Sequence, residues 1–180
     1  MATGVPQSPR IAIGIDNGLT GAVVAVQGDH VIQEFALPVR DGDVDAARLV
    51  TRLQFIGAPH QLTIAIEQPG KFSPGVLALC STWKVFGQIT GALTVSGYSY
   101  TVVAPRTWQA AMLGKVPKGE TKKFALDRYA TTFNRRIPTK SDKSKKAHDG
   151  IVDAALIASW AARYLCPSEK AILRAESGGA

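Results

Sequence analysis

The chain has 180 residues, 46% hydrophobic and 19% charged, with a formal net charge of +7. That length suits one domain with a full core, and the mix is globular rather than disordered. No apolar run of the ~18 residues that cross a bilayer stands out, and two isolated cysteines, Cys80 and Cys166, offer no zinc site and read as buried thiols in a reducing compartment.

The opening MATGVPQSPR lacks the apolar stretch of a leader, so residues 1–9 are expected to form a flexible arm. Residues 10–15 alternate and are β-branched, which predicts a strand ending at Asp16. Asn17-Gly18 then predicts a tight turn, with residues 21–27 returning antiparallel. Gly28-Asp29 turns the chain into a third strand over 30–38. Residues 43–56 carry an acidic start and apolar positions Ala46, Leu49, Val50, Leu53 and Ile56, an amphipathic helix closed by Gly57 and Pro59.

Residues 62–67, LTIAIE, form a nearly continuous apolar run, as in a strand buried on both faces. Pro69-Gly70 and Pro74-Gly75 bracket a loop. A helix follows over 76–95, with Gly87, Gly91 and Ala92 suited either to packing on the sheet or to a seam between two copies. Residues 99–105 form a strand stopped by Pro105. A short helix over 106–113, a loop over 114–119, a helix over 120–133 and a basic loop lead to an apolar helix over 148–165. Residues 167–180 are expected to fray. The result is an α/β domain over 10–166: a five-stranded mixed sheet, its first three strands antiparallel, flanked by α-helices. The first and fourth strands lie side by side at its centre.

Four acids are out of place in this layout. Asp16 and Glu67 end buried strands, at tips ~4.8 Å apart if the strands are neighbours. Asp149 and Asp153 lie i, i+4 on one face of the last helix. Carboxylates at buried positions need a counter-charge, and a hard divalent cation with oxygen ligands supplies one. Asp16 could instead form a turn, and Asp149 could cap its helix. Glu67 and Asp153 have no such alternative. His148 is a candidate for capping or for orienting water.

Charge is unevenly spread. Residues 106–146 hold twelve Lys/Arg against three acids, +9, which leaves −2 for the rest. A basic block ahead of an acidic helix suits a polyanion delivered to bound metal, a nucleic-acid footprint. The bland alternative is a solvated face.

With these residues the chain resembles the RuvC-like Holliday junction resolvases of the ribonuclease H superfamily, closest to phage and chloroplast types. GIDNGLTGA, IAIEQP and HDGIVDAALIA stand in the order of that family's three acidic motifs. VVAPRTWQAAMLG with KGETKKFALDRYATTF resembles the stretch between its second and third motifs. The likeness runs from about Ile11 to Leu165. Asn17 departs from the family's proline, and the Asp149–Asp153 spacing of four departs from the bacterial three.

The resemblance implies a ribonuclease H-like fold and a homodimer, here through the 76–95 helix, that binds four-way DNA junctions. It implies paired symmetric nicks by two-metal hydrolysis, leaving 5′-phosphate and 3′-hydroxyl ends. Asp16 would bridge two Mg²⁺ about 3.5–4 Å apart, Glu67 would hold one, and Asp149 with Asp153 the other; Mn²⁺ is a possible substitute. Lys118, Lys122, Lys123, Lys143, Lys145 and Lys146 are candidate phosphate contacts, and Phe72 a candidate stacking residue at the junction. The implied location is cytoplasmic in a bacterium or phage; a plastid stays open, although no transit peptide is evident.

Three alternatives compete. A sugar-kinase-like ATPase would need a second glycine-rich phosphate loop, absent here. Another ribonuclease H-like nuclease acting on flaps, branched DNA or RNA would use the same acids. A non-catalytic junction-binding protein would have no use for acids that repel DNA.

Overall fold

The computed structural model describes residues 10–70, 75–139 and 146–166. The expected terminal arm and tail, and the candidates Phe72, Lys143 and Lys145, lie outside the described residues. The chain runs β1 (Ile11–Ile15), β2 (Ala22–Gln27), β3 (His30–Ala36), β4 (Val39–Arg40), β5 (Asp43–Val44), α1 (Ala46–Ile56), β6 (Leu62–Glu67), α2 (Val76–Val95), β7 (Tyr100–Val103), α3 (Pro105–Leu113), α4 (Thr121–Phe133) and α5 (Asp149–Tyr164).

Five strands pair in the order β3-β2-β1-β6-β7. β1 and β2, and β2 and β3, are antiparallel; β6 runs parallel to both β1 and β7. The central pair is thus β1 and β6, as the run of apolar residues in each requires. Alternate side chains divide the core between two faces. Ala12, Val24 and Val26 pack toward α3, α4 and α5, whereas Ile13, Ile15, Val23 and Ala25 pack toward α1 and α2. The molecule is therefore three layers, with α5 lying across the centre of the sheet.

One glycine makes that crossing possible. A Cβ on Gly14 would lie 2.0 Å from the Ala154 carbonyl oxygen and 2.4 Å from the Ala158 nitrogen. Only a residue without a side chain lets α5 rest backbone-to-backbone on β1, and the contact draws the start of α5 toward the end of that strand.

Several expectations are corrected. The β1–β2 connection spans six residues, not a two-residue Asn-Gly turn, because Asn17 is buried and its amide is used elsewhere. Asp43 belongs to a two-stranded ribbon and pairs with Lys84; α1 begins later, capped by Asp45 Oδ1 accepting from Arg48 N at 3.1 Å. Pro105 starts α3 as well as stopping β7, since its missing N–H costs nothing in a first helical turn. Cys80 is exposed and Cys166 half-buried, so neither is a core thiol.

The apolar content of α2 is also higher than expected. Its 20 residues are long and apolar enough, by length and composition, to cross a bilayer. Here one face is docked instead: Val85, Ile89 and Leu93 are buried under the sheet, and Lys84 is neutralised by Asp43.

Candidate active site

The register of β1 and β6 ends with Ile15 opposite Ile66, so Asp16 and Glu67 follow side by side at the strands' C-terminal tips. Each is held by continued backbone pairing. Asp16 N–H donates to the Ala22 carbonyl at 3.0 Å, and the Gln68 N–H donates to Val103 at 2.8 Å. The buried Asn17 amide donates to the Glu67 carbonyl and ties the first acidic segment to the second. The start of α5 closes on the same point. A Cβ on Gly150 would lie 2.8 Å from the Thr20 carbonyl and 3.0 Å from Asp16 Oδ2.

These positions create an electrostatic problem. Burial pushes the Asp16 carboxyl up to about 8, and Glu67, then Asp153 and Asp149, push in the same direction. Burial raises Asp153 to about 7, with Glu67 and Asp149 adding to the rise and Lys122 opposing it. Glu67 is raised by burial and partly restrained by a hydrogen bond from Trp108. Glu67, Asp153 and Asp149 all bear on Asp16, so the three segments form one acidic cluster in which negative charge exceeds positive.

The Asp149 side chain is partly exposed. Its Oδ2 accepts from Lys122 Nζ at 2.6 Å, while its Oδ1 is buried with no hydrogen-bond partner. It is not the helix cap. His148 is, with Nδ1 accepting from the Ile151 N–H at 3.3 Å. Capping therefore accounts for His148 and leaves Asp149 unexplained by local structure. A pocket of about 280 Å³ opens beside the two helix aspartates, lined also by Gln109, Thr121, Lys122 and Leu126.

No family model and no curated protein matches the chain. Solved structures do. Thermus thermophilus RuvC in complex with a Holliday junction substrate aligns with a TM-score of 0.58 at 17% identity, over 83% of this chain and 91% of that one. A second Thermus thermophilus RuvC structure gives the same score and identity over 93% and 96%. The chain has the RuvC-like, ribonuclease H-like fold.

Lys118, Lys123 and Lys146 are exposed, near the start of α4 and before α5. Lys122 is engaged with Asp149. Two residues of the site escaped the sequence reading: Asn17, read as a turn residue, and Trp108, whose indole Nε1–H donates to Glu67 Oε1 at 2.9 Å. Trp108 stands 41 residues from Glu67, and no local period links them. The resemblance of APRTWQ to a family segment was the only signal.

The donor set suits a hard divalent cation: all-oxygen, with one buried carboxylate oxygen unsatisfied and two carboxyls raised for want of counter-charge. The side chains do not yet enclose one. Among the described residues, no group of three His, Cys, Asp or Glu side chains is spaced to hold a metal ion. Asp149 is turned to Lys122, which supplies positive charge in this conformation.

Proposed function

We propose that the protein is a structure-selective endonuclease that resolves four-way DNA junctions by paired, symmetric, metal-dependent nicks. The observation carrying this reading is the cluster itself: acids from three separated segments meet where β1, β6 and the start of α5 converge, with more negative charge than Lys122, paired to Asp149, offsets. A plain structural cluster of this kind would be costly to keep.

Asp16, central in the cluster, would contact both ions of a pair, Glu67 one, and Asp149 with Asp153 the other. Divalent metal, when bound, supplies charge to activate a water for in-line attack and to stabilise the leaving 3′ oxygen. Asp149 would exchange Lys122 for the ion, which frees the ammonium for a phosphate. Lys118, Lys123 and Lys146, with Lys143 and Lys145, would hold flanking strands, and Phe72 would stack at the junction. The products would carry 5′-phosphate and 3′-hydroxyl ends.

Symmetric nicking needs two sites, hence a homodimer. The outward face of α2 suits a second copy: Val76, Leu77, Cys80 and Trp83 are exposed, and a Cβ on Gly87 or Gly91 would meet nothing within 4 Å. Small residues between apolar ones permit close helix approach, and an uncovered patch of this kind marks an interface.

Cleavage of labelled four-way junctions, flaps, duplex DNA and RNA–DNA hybrids, compared at equal enzyme, tests the substrate. Junctions should be cut at least tenfold faster than the rest, at symmetric positions. Equal or faster cutting of flaps or hybrids would assign the fold to another ribonuclease H-like nuclease.

A further inference from the structure

Trp108 is only 1% exposed and sits in the apolar layer under α4 and α5. A buried indole N–H needs an acceptor, but a backbone carbonyl would ordinarily serve. Here the acceptor is the carboxylate at the tip of β6, at 2.9 Å. The connection is short: β7 pairs with β6 up to Glu67↔Val103, and α3 begins two residues later, so the indole is carried over Glu67 by rigid backbone. With Asn17 bonded to the Glu67 carbonyl, the residue is held at both its main chain and its side chain.

The bond also divides the carboxylate. Oε1 accepts a charge-assisted hydrogen bond that takes up one of its lone pairs, so a cation competes with the indole at Oε1 and meets no competitor of this kind at Oε2. Ca²⁺ readily takes both oxygens of a carboxylate in a flexible shell, whereas Mg²⁺ demands near-octahedral single-oxygen donors. We propose that Trp108 is a positioning residue that holds Glu67 as a one-oxygen donor, keeping Oε2 for the cation and favouring small octahedral ions over Ca²⁺. The inference rests on the metal-dependent reading above and adds to it a selectivity determinant.

Calorimetric titration of Mg²⁺ and Ca²⁺ into wild type, Trp108→Phe, Glu67→Gln and the double variant tests it. Trp108→Phe should lose Mg²⁺ affinity by about tenfold or more, the usual scale for a residue that orients a metal ligand. Ca²⁺ affinity should fall less, so the Mg²⁺/Ca²⁺ preference shrinks. In the Glu67→Gln background the same change should alter neither affinity. An unchanged preference in Trp108→Phe, beside a clear loss in Glu67→Gln, overturns this inference alone. An equal loss in both backgrounds assigns Trp108 to packing and also overturns it. If wild type binds no divalent ion and Glu67→Gln changes nothing, the metal reading itself fails.

A second measurement needs no change at Trp108. In ¹⁵N spectra of the wild type, one indole N–H resonance should shift on Mg²⁺ addition and also in Glu67→Gln. Indole resonances that ignore both would contradict the proposal even if Trp108→Phe does not fold.

Discussion

Replacing Asp16 by Asn should make the metal-free protein more stable, although it removes the residue at the centre of the site. Asp16 is pushed to about 8 from an ordinary 3.8. Between those values the folded state holds a proton that the unfolded chain releases, so stability falls as pH rises across that window. At ~1.4 kcal/mol per pH unit, the cost is of the order of 4 kcal/mol at pH 7 and roughly 2 kcal/mol at pH 5. Asn keeps the shape and carries no such cost. For a domain of this size, 1 kcal/mol moves Tm by ~2–4 °C, so a rise of the order of 10 °C is expected near neutral pH, shrinking to a few degrees at pH 5. Thermal melts by circular dichroism in EDTA at pH 5 and 7.5 measure both. Saturating Mg²⁺ should narrow the gap by stabilising wild type alone. If Asp16→Asn melts at or below wild type in EDTA at pH 7.5, the carboxylate is not short of counter-charge, and the argument for a cation fails.

Two further outcomes follow from packing. Gly14→Ala would drive a methyl into the α5 backbone, 2.0 Å from the Ala154 oxygen; a loss of about 3 kcal/mol or more by urea unfolding is expected, and a wild-type midpoint would disprove the backbone-to-backbone crossing. Gly91→Arg faces open space on α2, so it should leave the far-UV circular dichroism spectrum unchanged while converting a dimer to a monomer by sedimentation. A Gly91→Arg protein that sediments as wild type would remove α2 from the interface.

The acidic cluster was legible because its signals are local. Asp16 and Glu67 each end an apolar run, and Asp153 sits in an apolar helix where nothing local explains it. Strand order followed from the same runs, since a strand buried on both faces belongs at the centre of a sheet. What depended on distant contacts was not legible. Asn17 followed by Gly18 has the chemistry of a turn, and only the neighbouring β6 reveals its amide as a tie to Glu67. Trp108 reads as an ordinary core aromatic until α3 is seen folding back over β6. The β4–β5 ribbon was lost in the helix pattern because Asp43 and Asp45 both look like start signals, and only Asp45 caps. Cys80 read as core because it sits in an apolar helical stretch, although only one face of α2 is covered.

The central claim is that these four acids perform metal-dependent phosphodiester cleavage on branched DNA. Its most direct measurement is nicking of a labelled four-way junction with and without Mg²⁺, by wild type beside Asp16→Asn and Glu67→Gln. Paired symmetric nicks from wild type with Mg²⁺, none in EDTA, and none from either variant while both still bind the junction is the predicted result. A junction left uncut by wild type with Mg²⁺, or cut at the wild-type rate by either variant, would contradict it.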